Sequence, residues 1–426
     1  MSLTRETYQL YLDILTEELI PALGCTEPIA ISYAAAKARE VLGCMPEHIK
    51  VRCSGNIVKN VKGVVVPNTG NLKGINASAI AGTVGGDASK VLEVLTVLTP
   101  DDIAKTKDLL KTDFCKVELW EDAPANLAID VEAFGEGHHA RVVIVNAHTN
   151  IVRLEKDGEV LFEKPVEKTC TYKTDRSKLN VKDILEFADT LNVEDVRDLF
   201  SRQIAYNTAI SKEGLTHSYG TGVGATLLKF YGDQDVRIRA KAAAAAGSDA
   251  RMSGCDLPVV INSGSGNQGM TVSLPVVEYA KELDVGEEKL FRALAVSNLV
   301  ALHQKTQIGS LSAYCGAVCA AVGSGAAITY LHGGSYEDIS RTIINTLGDV
   351  AGIVCDGAKP SCASKIASAV DAAILGHTLA MDGKAFAPGE GLIKDDVEQT
   401  IASVGRLGKE GMKETDVEVL KIMLDE

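Results

Sequence analysis

One tryptophan and an aromatic share of 5% leave this 426-residue chain short of the large rings that often anchor a core. Abundant Ala and Gly favour closely approaching helices in their place. Basic runs are also missing. Lys and Arg number 43 against 57 Asp and Glu, a net charge of −14, and no basic stripe is available to bind phosphates, so no nucleic-acid partner is expected. Arg5, Glu6, Asp13 and Glu17 interrupt the apolar pattern of Met1–Leu19. That excludes a signal peptide or membrane span there, and a cytoplasmic protein without a membrane partner is the expectation. Ten cysteines without a secretion signal should be reduced, and serve as ligands, reactive thiols or packing residues rather than disulfides.

Apolar residues make up 46% of the chain, ample for a core, and the length exceeds what one core usually organises, so two domains, or one domain with a large insertion, are expected. Helical periodicity marks residues 5–19 and 28–42, a short strand falls at Ile49–Cys53, and helices resume near Asn76. Between Phe114 and Glu163 the period changes to two. Lys116–Glu121, Leu127–Phe134, Ala140–Asn146, Ile151–Glu155 and Glu159–Phe162 read as strands, the last two joined by Asp157-Gly158. From Val181 onward the pattern is almost wholly helical, with helices expected at Arg237–Gly247, Glu287–Leu302, Ser310–Leu331, Tyr336–Val354 and Ala363–Leu379. The fold class is therefore α+β: a predominantly helical catalytic domain, residues 1–110 and 181–426, with an inserted small sheet domain and linker, residues 111–180.

Three groups of residues could carry chemistry. Cys315, Cys355 and Cys362 lie near helix ends, and the last two enclose a six-residue Gly- and Pro-containing loop able to turn two thiolates toward one point. Their spacing indicates a thiolate metal site, with plain packing of each cysteine as the alternative; zinc matches poorly, and Cys319 is a rival ligand. Cys25 precedes Thr26-Glu27-Pro28, read as an N-cap Thr and a first-turn Pro. A thiol at a helix N-terminus should be acidified and act as base or nucleophile, or else simply cap the turn. Cys44, Cys53, Cys115, Cys170 and Cys255 read as packing residues.

Small polar turns form the third group. Ser54-Gly55-Asn56, Asn68-Thr69-Gly70 and the stretch from Ser263 through Ser265 and Asn267 to Gly269 offer backbone N–H groups and short side-chain donors suited to a carboxylate. No Gly-Lys-Ser/Thr follows the glycine-rich stretch, which disfavours a nucleoside-triphosphate loop. His217 and His303 are assigned no role.

Taken together, Pro21-Ala22-Leu23-Gly24-Cys25-Thr26-Glu27-Pro28, Ser54-Gly55-Asn56, Ser263–Gly269 and the run from Cys355 to Cys362 resemble the L-cysteine desulfidases (UPF0597 type), a branch of the iron–sulfur serine dehydratase α-chain superfamily. The likeness covers nearly the whole chain. It implies a [4Fe-4S] cluster on Cys315, Cys355 and Cys362, one iron without a protein thiolate, and Cys25 as the base that removes the α-proton of a small amino acid. It also implies β-elimination of cysteine to pyruvate, ammonia and hydrogen sulfide, with a homodimer as the candidate assembly. The chain ends without the C-terminal cysteine of related serine dehydratases, so the fourth iron site is expected to be open to substrate or solvent; the 355–362 interval is also shorter than theirs, which moves the expected substrate from serine toward cysteine. The competing readings are an iron–sulfur serine dehydratase, a pyridoxal-phosphate lyase, for which no lysine stands out, and a non-catalytic cluster protein.

Overall fold

The computed structural model describes residues 3–166, 173–309 and 311–424. Among the described residues the strands are β1 (Pro21–Leu23), β2 (His48–Cys53), β3 (Cys115–Leu119), β4 (Ala128–Gly135), β5 (His138–Val145), β6 (Ile151–Lys156), β7 (Glu159–Glu163) and β8 (Pro258–Val260). β2 to β7 form one mixed sheet in the order β3-β2-β4-β5-β6-β7, and β1 pairs with β8 apart from it. The α+β class read from periodicity is what the structure has, and its five period-two segments are β3 to β7 within a residue or two.

Alternation explains the sheet. On β2, Ile49, Val51 and Cys53 turn inward and meet Ile129, Val131 and Ala133 of β4 under the Thr26–Leu42 helix; burying each of the larger side chains is worth roughly 1.5–3 kcal/mol. The β6–β7 turn uses Asp157 and Gly158, both at positive φ, as a two-residue hairpin requires. β2 comes from outside the 111–180 segment yet is hydrogen-bonded in parallel to β3 and antiparallel to β4, so the N-terminal part supplies an interior strand of the sheet.

The helical body shows how the chain manages with few rings. In the Val236–Met252 helix the run Ala242–Ala246 is buried, so small side chains admit neighbouring helices closely. The Gly316–Leu331 helix packs between Glu287–Ile308 and Cys362–Met381. Several helices run past their expected limits, the 287 helix to Ile308 and the 237 helix to Met252, whereas Tyr336–Val350 stops earlier and releases Val354 into an extended bridge with Tyr314. Cys170, and the residue at 310 expected to open a helix, lie outside the described residues. Among those described, no helix is long and apolar enough to cross a membrane.

Candidate active site and thiolate centre

The β1–β8 ladder pairs Pro21 with Val260 and Leu23 with Pro258, which brings the segment around Cys25 beside the glycine-rich turn. Gly24 follows at φ +58, where a Cβ would stand 1.9 Å from Pro67 Cγ; only glycine fits. Cys25 itself is the N-cap of the Thr26–Leu42 helix, one position earlier than the Thr26 cap expected from sequence. Thr26 donates its hydroxyl to Gly264 O at 2.9 Å, tying the two motifs together.

The Cys25 thiol is not the acidified group its position suggested. Burial pushes it well above the usual thiol range, the Glu27 carboxylate adds to that, and Arg251 opposes it. A helix terminus contributes about 2 kcal/mol at most, and loss of hydration outweighs it. The thiol instead donates to Glu27 Oε2 at 3.1 Å, while Asn60 Nδ2 donates to Oε1 at 3.0 Å. His148 Nε2, from the loop after β5, lies 3.9 Å from the same Oε1, beyond hydrogen-bond reach. Burial alone would raise Glu27, but His148 and the Cys25 thiol pull it down to about 2. The negative charge of the pair rests on Glu27 and the proton on sulfur.

Cys315, Cys355 and Cys362 line the same cavity of about 1150 Å3 as Cys25. Tyr314 and Val354 form an antiparallel bridge, with Cys315 N–H donating to Ile353 O and Cys355 N–H to Ala313 O. Alternation along these two segments therefore turns both cysteines to one face. Cys315 caps the Gly316–Leu331 helix, and Cys362 opens the Cys362–Met381 helix. Gly357 makes the connecting turn at φ +95, where a Cβ would meet Lys59 O at 2.3 Å. Cys25 and Cys362 share an apolar patch with Val64, Met252 and Ala358. Cys319 is fully buried one helical turn further on.

Among the described residues no three His, Cys, Asp or Glu side chains converge tightly enough for a single metal ion. Thiols are soft donors, the kind that thiolate-ligated metal centres use. Lys305, buried on the Glu287–Ile308 helix, is lowered by burial and faces Cys319, Cys355 and Cys315, which favour its charge; no described carboxylate pairs with it. Lys365 donates to Val354 O at 2.7 Å and is paired with Asp356. Burial and the neighbouring Cys355 thiol push Cys315 up to about 12.

The polar turns divide. Asn56, Ser263, Ser265 and Asn267 line the cavity; Ser54 and Asn68 do not. Ser54 donates its hydroxyl to Asn126 O at 2.8 Å and accepts from Ala128 N–H at 3.1 Å, fastening a helix start to the sheet. Asn68 sits at positive φ, a conformation asparagine tolerates, and donates to Leu95 O at 3.2 Å, 27 residues along the chain. Both side chains are engaged by backbone groups of other segments, Ser54 by Asn126 and Ala128 and Asn68 by Leu95, away from this cavity. Asn56 Nδ2 is engaged by Asp416 at 2.7 Å, and Ser265 caps the Gly266–Glu282 helix.

The model of the serine dehydratase alpha chain matches residues 89–421. The chain belongs to the serine dehydratase alpha-chain family. It is 58% identical to a UPF0597 protein of Lachnoclostridium phytofermentans over 418 residues, 98% of this chain and 100% of that one. A UPF0597 protein of Desulfitobacterium hafniense is 54% identical, with 98% and 97% covered, and one of Treponema denticola 52% identical, with both covered in full. Membership in the serine dehydratase alpha-chain family supports a lyase-type enzyme.

For this family member the sequence reading missed the cations. Lys59, Arg251, Lys305 and Lys365 all line the cavity, and only burial distinguishes them from surface residues of the same types. His148 was visible in the sheet segment without any sign that its loop reaches Glu27. His217 is exposed, and His303 is bound to Glu398 at 2.6 Å away from the cavity wall.

Proposed function

We propose that the protein is an L-cysteine desulfidase, a lyase that eliminates sulfide from L-cysteine to leave pyruvate and ammonia. The observation that carries this reading is the meeting of Cys25, from the start of the chain, with Cys315, Cys355 and Cys362 around one cavity. Cys315, Cys355 and Cys362 would hold a [4Fe-4S] cluster, whose fourth iron, when bound there, supplies a Lewis acid for the departing sulfur.

The chain's own residues account for the proton. Cys25 rests protonated against Glu27, so the thiol must lose that proton before it can act as a base, and Glu27 is the group it donates to. The thiolate then takes the proton from the substrate α-carbon as the bond from the β-carbon to sulfur breaks. Sulfide leaves, and the 2-aminoacrylate that remains adds water to give pyruvate and ammonia. Cations around the cavity offset the negative charge that accumulates during elimination.

The test is anaerobic purification with iron and acid-labile sulfide measured beside pyruvate release. Cysteine should give equal pyruvate and sulfide at a higher kcat/KM than serine. Pyruvate from serine alone would replace this reading with a serine dehydratase, and pyruvate from neither would refute both.

A further inference from the structure

Buried cations in this protein generally have anions beside them. Arg176 pairs with Glu18 at 2.5 Å, and Lys59 pairs with Asp416. Arg251 is an exception. It ends the Val236–Met252 helix at 2% exposure, and its contacts are neutral: Nε donates to Gly24 O at 2.9 Å, and Nη1 donates to Asn267 Oδ1 at 3.1 Å. No described carboxylate forms an ion pair with it, and among the described residues neither Nη2 nor the amide nitrogen of Asn267 has a hydrogen-bond partner. Both residues line the cavity.

A buried guanidinium without a counter-ion is expensive, and a planar fork with open N–H groups matches a carboxylate better than any other small anion. Lys305 also lacks a carboxylate, but it faces the cysteines. Arg251 instead grips the carbonyl of Gly24, the residue before Cys25. A carboxylate seated on it would hold the carbon next to that carboxylate beside the Cys25 thiol.

We infer that Arg251, together with the Asn267 amide, is the anchor for the α-carboxylate of the substrate, so that the ligand class is a free α-amino acid rather than an amide, ester or simple thiol amine. The orientation toward Cys25 rests on the elimination reading; the carboxylate site itself does not.

The test uses anaerobically purified full-length protein and L-alanine, which has the carboxylate but no group to eliminate. Phenylglyoxal labelling of Arg251, followed by peptide mass spectrometry, should be suppressed by L-alanine and not by L-alaninamide. Arg251→Met should raise KM for cysteine roughly 100-fold, the scale of losing a buried charge-assisted pair, with Arg251→Lys recovering part of the loss and none of these changes lowering iron content. Equal protection by acid and amide, or none by either, overturns the anchor even if the variants misfold, since it is read on the wild type. Pyruvate release with Arg251 unprotected would sink the anchor and leave the elimination reading standing. Protection without pyruvate from any amino acid would uphold the anchor and sink elimination.

Discussion

Cys25 donates its S–H to Glu27 Oε2, two residues along the chain, across 3.1 Å. That bond and the carboxylate charge both favour the protonated thiol. Glu27→Gln removes the charge, so the thiol becomes more acidic and alkylation of Cys25 by iodoacetamide should begin at lower pH than in the wild type. Mass spectrometry of the Cys25 peptide across a pH series measures this, and an unchanged profile would show that Glu27 does not control the thiol.

The thiolate centre predicts a separation of two losses. Cys315→Ser, Cys355→Ser and Cys362→Ser should each lose iron and activity together, because two remaining thiolates hold a cluster poorly. Cys25→Ser should retain the wild-type iron content and form no pyruvate. Treating the wild type with a chelator in air should reproduce the first phenotype, read as loss of iron and of visible absorbance.

Gly357 allows the cysteine-bearing loop to lie directly on the backbone of Lys59. Gly357→Ala adds a positive-φ penalty of about 1 kcal/mol to the 2.3 Å approach to Lys59 O. The loop must shift, and the variant should lose iron at a chelator concentration the wild type withstands. An alanine at Gly286, whose added Cβ would meet nothing within 4 Å, should leave iron retention unchanged.

Asp249, buried under the turn that starts the Val223–Tyr231 helix, accepts from Gly224 N–H at 3.0 Å. Burial pushes its carboxyl up from 3.8 to about 6. The folded protein therefore holds this proton more tightly than the unfolded chain, and the resulting stability is complete below pH 3.8 and lost as pH rises through 6. Asp249→Asn cannot ionise. It should gain on the order of 2 kcal/mol over the wild type at neutral pH, less than the full shift implies because one acceptor oxygen is lost, and match it at low pH. Urea midpoints at the two pH values measure the difference.

Local patterns made much of this molecule readable. Alternating apolar residues in β4 and β5 follow directly from the opposite faces of a strand, and Asp157-Gly158 announces its own turn. β2 was read as a strand but not as an interior member of the sheet, because pairing between Val51 and Val117 depends on residues far apart in the chain. Ser54 and Asn68 looked equivalent to Ser263 and Asn267, yet they bond Asn126 and Leu95 and lie away from the cavity that the other two line.

The sequence by itself determined the α+β pattern, the glycine turns and the four cysteines to watch, since backbone periodicity, φ preferences and residue chemistry act over a few positions. Only the tertiary structure decided that Cys25 keeps its proton, that Glu27 carries the charge, and that Arg251 is buried without an anion. Those states depend on water excluded and charges brought close by segments from tens to hundreds of residues apart as well as by near neighbours, and no local pattern encodes that sum.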